Sequence, residues 1–138
     1  SRNPLSTLFY KLSIADEKEI NIIANEVNLI ESLNVLAGQL SHGQKQGLEI
    51  GMLLAQKPDL LLIDEPAAGM TAPERKKTVE LLKRLSQNQS VIVVEHDMEF
   101  VKSLECRVTV LHDGGVIAEG SLDYVSQNDK VIDVYLGR

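Results

Sequence analysis

The chain has a single cysteine, Cys106, which excludes an internal disulfide and a multi-cysteine metal site, so nothing calls for an oxidising compartment and the cytosol is the default. Basic residues are in deficit. Fourteen Lys and Arg stand against twenty Asp and Glu, a net charge of −6 with a pI near 5.0, which argues against a general surface for nucleic acid or anionic lipid. A local phosphate site stays open, because backbone amides at a helix terminus bind anions without net positive charge. Long hydrophobic runs are missing as well. The strongest, Leu60-Leu61-Leu62-Ile63 and Val91-Ile92-Val93-Val94, are far too short to cross a bilayer, and no basic-then-apolar N-terminal segment has the pattern of a signal peptide. There is no initiator Met, and the opening Ser1-Arg2-Asn3-Pro4 reads as the middle of a longer product. What is present, 43% apolar and 25% charged residues with 9 Gly and 4 Pro over 138 positions, suits one globular domain.

The elements follow from pattern. Ile20, Ile23, Val27 and Ile30 recur at helical spacing and predict an amphipathic helix over Asp16 to Leu33. A second helix begins at Ser41 and runs through Leu48, Met52 and Ala55 to Lys57-Pro58, where proline turns its predecessor away from helix. Leu60 to Ile63 is apolar without alternation, as expected for a strand covered on both faces, and ends in Asp64-Glu65-Pro66. Thr71 with Glu74 three residues on, and Pro73 in the first turn, predicts a capping box for a helix carrying Val79, Leu82 and Leu85. The grammar then repeats: strand Val91 to Val94, then Glu95-His96-Asp97, then a helix over Met98 to Leu104 capped by Asp97. Strands separated by helices imply a parallel sheet whose functional loops lie at the carboxyl ends of its strands. Beyond Arg107, Val108 to Leu111 and Val116 to Ala118 flank Asp113-Gly114-Gly115, a tight hairpin expected to add an antiparallel edge to that sheet. Ser121 caps a short helix through Leu122 and Val125, and Val131 to Leu136 makes a terminal helical turn or two.

Three places carry candidate chemistry. Leu40-Ser41-His42-Gly43-Gln44 puts a hydroxyl, a glycine and an amide at a helix start, where unpaired N–H groups and the dipole favour an anion; an ordinary serine cap is the competing reading. Asp64 and Glu65 fix two carboxylates at a strand exit, where one can bind Mg²⁺ and the other orient or deprotonate water; a solvated acidic turn is the alternative. His96 closes the next strand and could donate to a phosphate oxygen or hold a water, though a lone histidine is more often a surface residue. His42 and His112 have no second ligand at metal spacing.

In order and spacing these segments resemble the second half of an ABC-transporter ATPase domain. Leu40-Ser41-His42-Gly43-Gln44 is similar to the signature motif, Leu60 to Pro66 to the Walker B strand with its catalytic glutamate, Ala67-Ala68-Gly69-Met70-Thr71 to the D-loop, and His96 to the switch histidine. Glu49 to Ala55, Ala68 to Thr71, Glu95 to Val101 and the closing Val134 to Arg138 look most like the branched-chain amino-acid and urea importer branch, with the urea ATPase the closer likeness. The resemblance implies a P-loop NTPase-type α/β fold, incomplete at its N-terminal side, with a helical subdomain in residues 1–57 and the rest of the ATPase core in 58–138. It implies ATP and Mg²⁺ as cofactors. Ser41, Gly43 and Gln44 would face the γ-phosphate held by a second ATPase subunit, Asp64 would hold Mg²⁺ through water, Glu65 would be the base, and His96 would contact the γ-phosphate. Closure of the ATPase pair would drive a membrane permease, placing the protein in the cytoplasm, peripheral on the inner face of the membrane, with no direct insertion and no nucleic-acid partner.

One motif is missing. No G-x-x-x-x-G-K-[ST] and no family-type glutamine loop occurs in the 138 residues, so this chain alone is expected not to hydrolyse ATP. The missing strands should leave apolar strand edges exposed and favour self-association. Three positions depart from the family pattern: His42 replaces a glycine, Thr71 an aspartate, and Gly47 an arginine or aromatic residue, the last at a helix-propensity cost of about 1 kcal/mol relative to alanine. A second reading is a naturally truncated, non-hydrolysing interaction module of the same kind of complex. The related chromosome-maintenance ATPases fit less well, since a short helix stands where long heptad arms would precede the signature.

Overall fold

The computed structural model describes residues 12–135. The first helix, α1 (Ile14–Glu26), starts on a capping box in which Ser13 Oγ accepts from the Asp16 amide at 3.2 Å and Asp16 Oδ2 accepts from the Ser13 amide at 2.8 Å. It stops well short of Leu33. Asn28 takes a left-handed φ of 58°, the Leu29 amide reaches back to the Ala24 carbonyl and the Asn28 amide to the Asn25 carbonyl. This Schellman ending is open to asparagine, whose short polar side chain tolerates that conformation. It turns Leu29 into the core, and beyond it the chain has only two short 3₁₀ turns, Ile30–Ser32, which ends before Leu33, and Ala37–Gln39.

Helix α2 (His42–Leu54) begins on Ser41 as expected. Lys57, before Pro58, has a positive φ of 51° and passes the chain to β1 (Leu60–Asp64). Helix α3 (Ala72–Leu85) starts on the Thr71–Glu74 capping box and leads to β2 (Ser90–Val94) and α4 (Met98–Leu104). Strands β1 and β2 pair in parallel, Leu60 opposite Ser90 through Asp64 opposite Val94. The Glu65 amide continues the ladder to the Val94 carbonyl at 2.9 Å.

The core is a single cluster on one side of this pair. Val27 and Leu29 after α1, Ile50 of α2, Val79, Leu81, Leu82 and Leu85 of α3 and Phe100 of α4 close over Leu61 and Ile63. The other side is open, which corrects the expectation of strands covered on both faces: Leu62 is 65% exposed and Val94 59%, with Leu60 and Ile92 beside them. All the helices that reach the core cluster lie on the same face of the sheet, so the apolar residues of the opposite face meet none of them.

The hairpin also differs from expectation. Strands β3 (Val108–His112) and β4 (Gly115–Gly120) form a two-stranded sheet of their own instead of an antiparallel edge on the parallel pair. The turn itself is the one the residues predict, with Asp113 at φ 48° and Gly114 at 76° as a two-residue hairpin turn requires. Helix α5 (Leu122–Ser126), capped by Ser121, packs on both hairpin strands and buries Val125 and Ala118, so this apolar face is closed locally. Helix α6 (Asp129–Tyr135) follows, and the Tyr135 hydroxyl donates to the Leu111 carbonyl at 2.9 Å. Residues 1–11 of the expected helical subdomain and Leu136-Gly137-Arg138 at the close lie outside the described residues.

Candidate functional site

Two clusters of predicted site residues form at different places. At the carboxyl end of the parallel pair, Glu65 leaves β1 with a left-handed φ of 45°, an uncommon conformation for a residue with a side chain. Its exposed carboxylate comes within 3.3 Å of His96 Nδ1. The pair is made by topology. Parallel register sets the ends of β1 and β2 side by side, so Glu65, the first residue past β1, comes near His96, the second past β2. Asp64 ends β1 and is exposed beside them.

The residue that shapes this corner is Glu95, which sequence reasoning quoted only as part of the histidine motif. Its side chain is 2% exposed. One carboxylate oxygen accepts from the Ala67 amide at 2.9 Å, and the other from the amides of His96 at 2.8 Å and Asp97 at 3.1 Å. Ala67 lies in the loop after β1, so a single buried carboxylate ties that loop to the loop carrying His96. An acidic residue directly before the histidine, just past an apolar strand, was the available signal. Asp97 completes the corner: Oδ1 accepts from the Glu99 and Phe100 amides at 3.0 Å each, capping α4, and Oδ2 takes Arg75 Nη1 at 2.6 Å. The hydrogen bond from the Phe100 amide, aided by the Arg75 charge, holds the Asp97 carboxyl below its usual range.

The second cluster sits at the start of α2. The Ser41 amide donates to Gln44 Oε1 at 3.0 Å and Ser41 Oγ accepts from the Gln44 amide at 3.3 Å, while Gln44 Nε2 donates to Ser32 Oγ at 3.2 Å. Gln44 is thus engaged in its own cap. Ser41 Oγ and the Gly43 amide instead converge on one oxygen of Glu74, at 2.7 and 3.2 Å. The donors of this helix start therefore fit an anionic oxygen, because one is seated on them. Among the described residues, Ser41, Gly43 and Gln44 share no hydrogen bond with Asp64, Glu65 or His96.

At the first cluster the donors are hard oxygens, the kind Mg²⁺ prefers. No group of three or more His, Cys, Asp or Glu side chains that could hold a metal ion occurs among the described residues. None of the described helices is long and apolar enough to cross a membrane.

The chain is similar to known proteins in sequence and in fold. Residues 2–68 match the family model described as ABC transporter, a stretch that includes Ser41, Asp64 and Glu65. The chain is 38% identical over 114 residues to the high-affinity branched-chain amino acid transport ATP-binding protein BraF of Pseudomonas aeruginosa, covering 81% of this chain and 45% of that protein. It is 36% identical over 116 residues to the methionine import ATP-binding protein MetN of Lactobacillus acidophilus, covering 83% of this chain and 33% of that one. The chain thus spans less than half the length of these curated relatives. Among solved structures, a nucleotide-free ATP-binding cassette from an ABC transporter superposes with a TM-score of 0.83 at 26% identity, over 99% of this chain and 58% of the other. The chain thus carries part of an ABC transporter domain, is similar in sequence to ABC transporter ATP-binding proteins and has the fold of their cassettes.

Proposed function

We propose that this chain supplies the signature helix, the Walker B carboxylates and the switch histidine of an ATP-hydrolysing subunit whose closure onto a second ATPase subunit drives a membrane permease. The observation that carries the reading is the Glu65–His96 approach of 3.3 Å at the carboxyl ends of two parallel strands, held by Glu95 beneath it. Residues 1–57 act as the helical subdomain beside the permease, and 58–138 as the rest of the ATPase core. The protein works in the cytoplasm, on the inner face of the membrane.

In this reading Glu65 orients the attacking water and takes its proton, and its exposure leaves it accessible to that water. His96 donates to a γ-phosphate oxygen while its Nδ1 faces Glu65, so the two hold one another in register. Asp64 would hold Mg²⁺, which would supply charge neutralisation of the phosphates. Ser41 and Gly43 present a hydroxyl and an amide to the γ-phosphate of the opposing subunit, and Gln44 fixes the cap that aims them. Phosphoryl transfer depends on positioning and charge neutralisation, which a site divided between two subunits completes only on closure. The importer branch is that of branched-chain amino acids or urea; the branched-chain amino-acid name of BraF supports the first solute class.

The glycine-rich loop that grips β- and γ-phosphates is not among these 138 residues, so this chain by itself binds Mg·ATP weakly and does not turn it over. Calorimetric titration of Mg·ATP tests this, comparing the chain with the same residues joined to a Walker A half. Binding by the joined form alone, with turnover abolished and binding retained in its Glu65→Gln variant, is the expected result. Comparable binding by this chain unaided would sink it.

A further inference from the structure

The reading above makes Ser41 and Gly43 phosphate donors, and this inference rests on it. Those donors already hold an anion that belongs to the chain. Glu74 Oε1 takes the Ser41 hydroxyl at 2.7 Å and the Gly43 amide at 3.2 Å, while Oε2 takes the Thr71 amide at 2.9 Å and its hydroxyl at 2.7 Å. The contact spans thirty-three residues of sequence, so it is not a by-product of local capping: half of the carboxylate serves its own helix and half serves another. Gly43 is what admits it. A Cβ at that position would stand 2.9 Å from Glu74 Cγ and 3.0 Å from its Cβ, closer than carbon atoms pack.

We propose that Glu74 is a built-in competitor for the phosphate, closing the α2 start in the free chain and having to swing out before a phosphate oxygen can take Ser41 Oγ and the Gly43 amide. The chemistry allows no sharing. Ser41 has one hydroxyl proton, the Gly43 amide has one hydrogen, and two anions cannot occupy the same pair of donors. Glu74 sits in the first turn of α3, directly after the loop from Ala67 to Thr71, so a shift of that loop would carry the carboxylate away from α2. The four donors also keep the group charged at any physiological pH, its carboxyl lowered from 4.5 to about 2, with the Ser41 hydrogen bond the largest cause.

The test titrates inorganic phosphate into the full chain and follows the Gly43 and Gln44 amide resonances in wild type, Glu74→Ala, Glu74→Gln and Glu80→Gln. Glu80 lies further along the same helix and is exposed, so its variant removes one negative charge without touching Ser41. Giving up a charge-assisted hydrogen bond corresponds to a factor of about ten in affinity. The Glu74→Ala chain should therefore bind phosphate about tenfold more tightly than wild type, with Glu74→Gln in between and Glu80→Gln unchanged. Glu74→Gln keeps the length of the side chain and an oxygen for the Thr71 cap, and it decides the matter if the alanine variant loses its native spectrum. Equal saturable shifts at Gly43 in every variant would overturn the competitor while leaving the phosphate cradle standing. An equal gain in Glu80→Gln would overturn it in favour of overall charge. A Gly43 resonance that moves on mutation but never on phosphate would remove the cradle reading as well.

Discussion

At the scale of single residues, two glutamates outside the expected catalytic set organise the molecule. Glu95 is buried and accepts from three backbone amides belonging to two loops. Stranding those donors is costly, so Glu95→Ala should lower stability by roughly 2–4 kcal/mol in urea unfolding, with Glu95→Gln milder. Glu74 predicts a pH effect. Its folded carboxyl titrates near 2 against an ordinary 4.5, and a depressed folded value means stability that is fully present above 4.5 and is lost as the pH falls towards 2. The lowered carboxyls of Asp97 and Glu105 act in the same direction. Acid titration of the melting temperature should show this decline, and Glu74→Gln should flatten it. Neither glutamate's role was fully legible in the sequence. The Glu74–Thr71 half lies within four residues and was read as a cap; the Glu74–Ser41 half depends on how α2 and α3 pack, which no local pattern records.

At the scale of elements, local chemistry was the reliable guide. The caps at Ser41, Thr71, Asp97 and Ser121 and the Asp113-Gly114 turn all form where their residues place them, because each is a bargain struck within a few residues. The failure at α1 has the same origin: Asn28 is a left-handed stop, and apolar spacing beyond it, at Ile30 and Leu33, imitated a continuing helix. Gly47 carries a second lesson. Helix propensity alone makes glycine there a defect of about 1 kcal/mol, yet a Cβ would stand 3.1 Å from the Val27 carbonyl oxygen, close enough that the end of α1 would have to give way to a side chain on α2. Gly47→Ala should therefore destabilise by about 1 kcal/mol despite its better propensity, since overpacking outweighs the gain. Equilibrium unfolding of that one variant gives the sign. A stabilised chain would return Gly47 to the status of a simple departure from family pattern.

At the scale of the whole molecule, the decisive feature is the side of the parallel pair that the described helices leave open. The continuous apolar runs of β1 and β2 announced burial but could not say by what, because a run without alternation has no marked face. This chain's helices bury Leu61 and Ile63 of β1 and partly cover Val91 and Val93 of β2, and Leu60, Leu62, Ile92 and Val94 are left to solvent. An apolar stripe of this kind favours association, so wild type should self-associate in sedimentation velocity and Leu62→Lys should reduce it with a stability change near zero. The same bare stripe offers an optical handle. The chain contains no tryptophan, so Ile92→Trp would install a lone indole on that stripe, red-emitting while wet and blue-shifted as soon as anything settles over the sheet, be it another copy or the rest of a cassette. Coverage of the sheet would then become a colour that can be watched in real time.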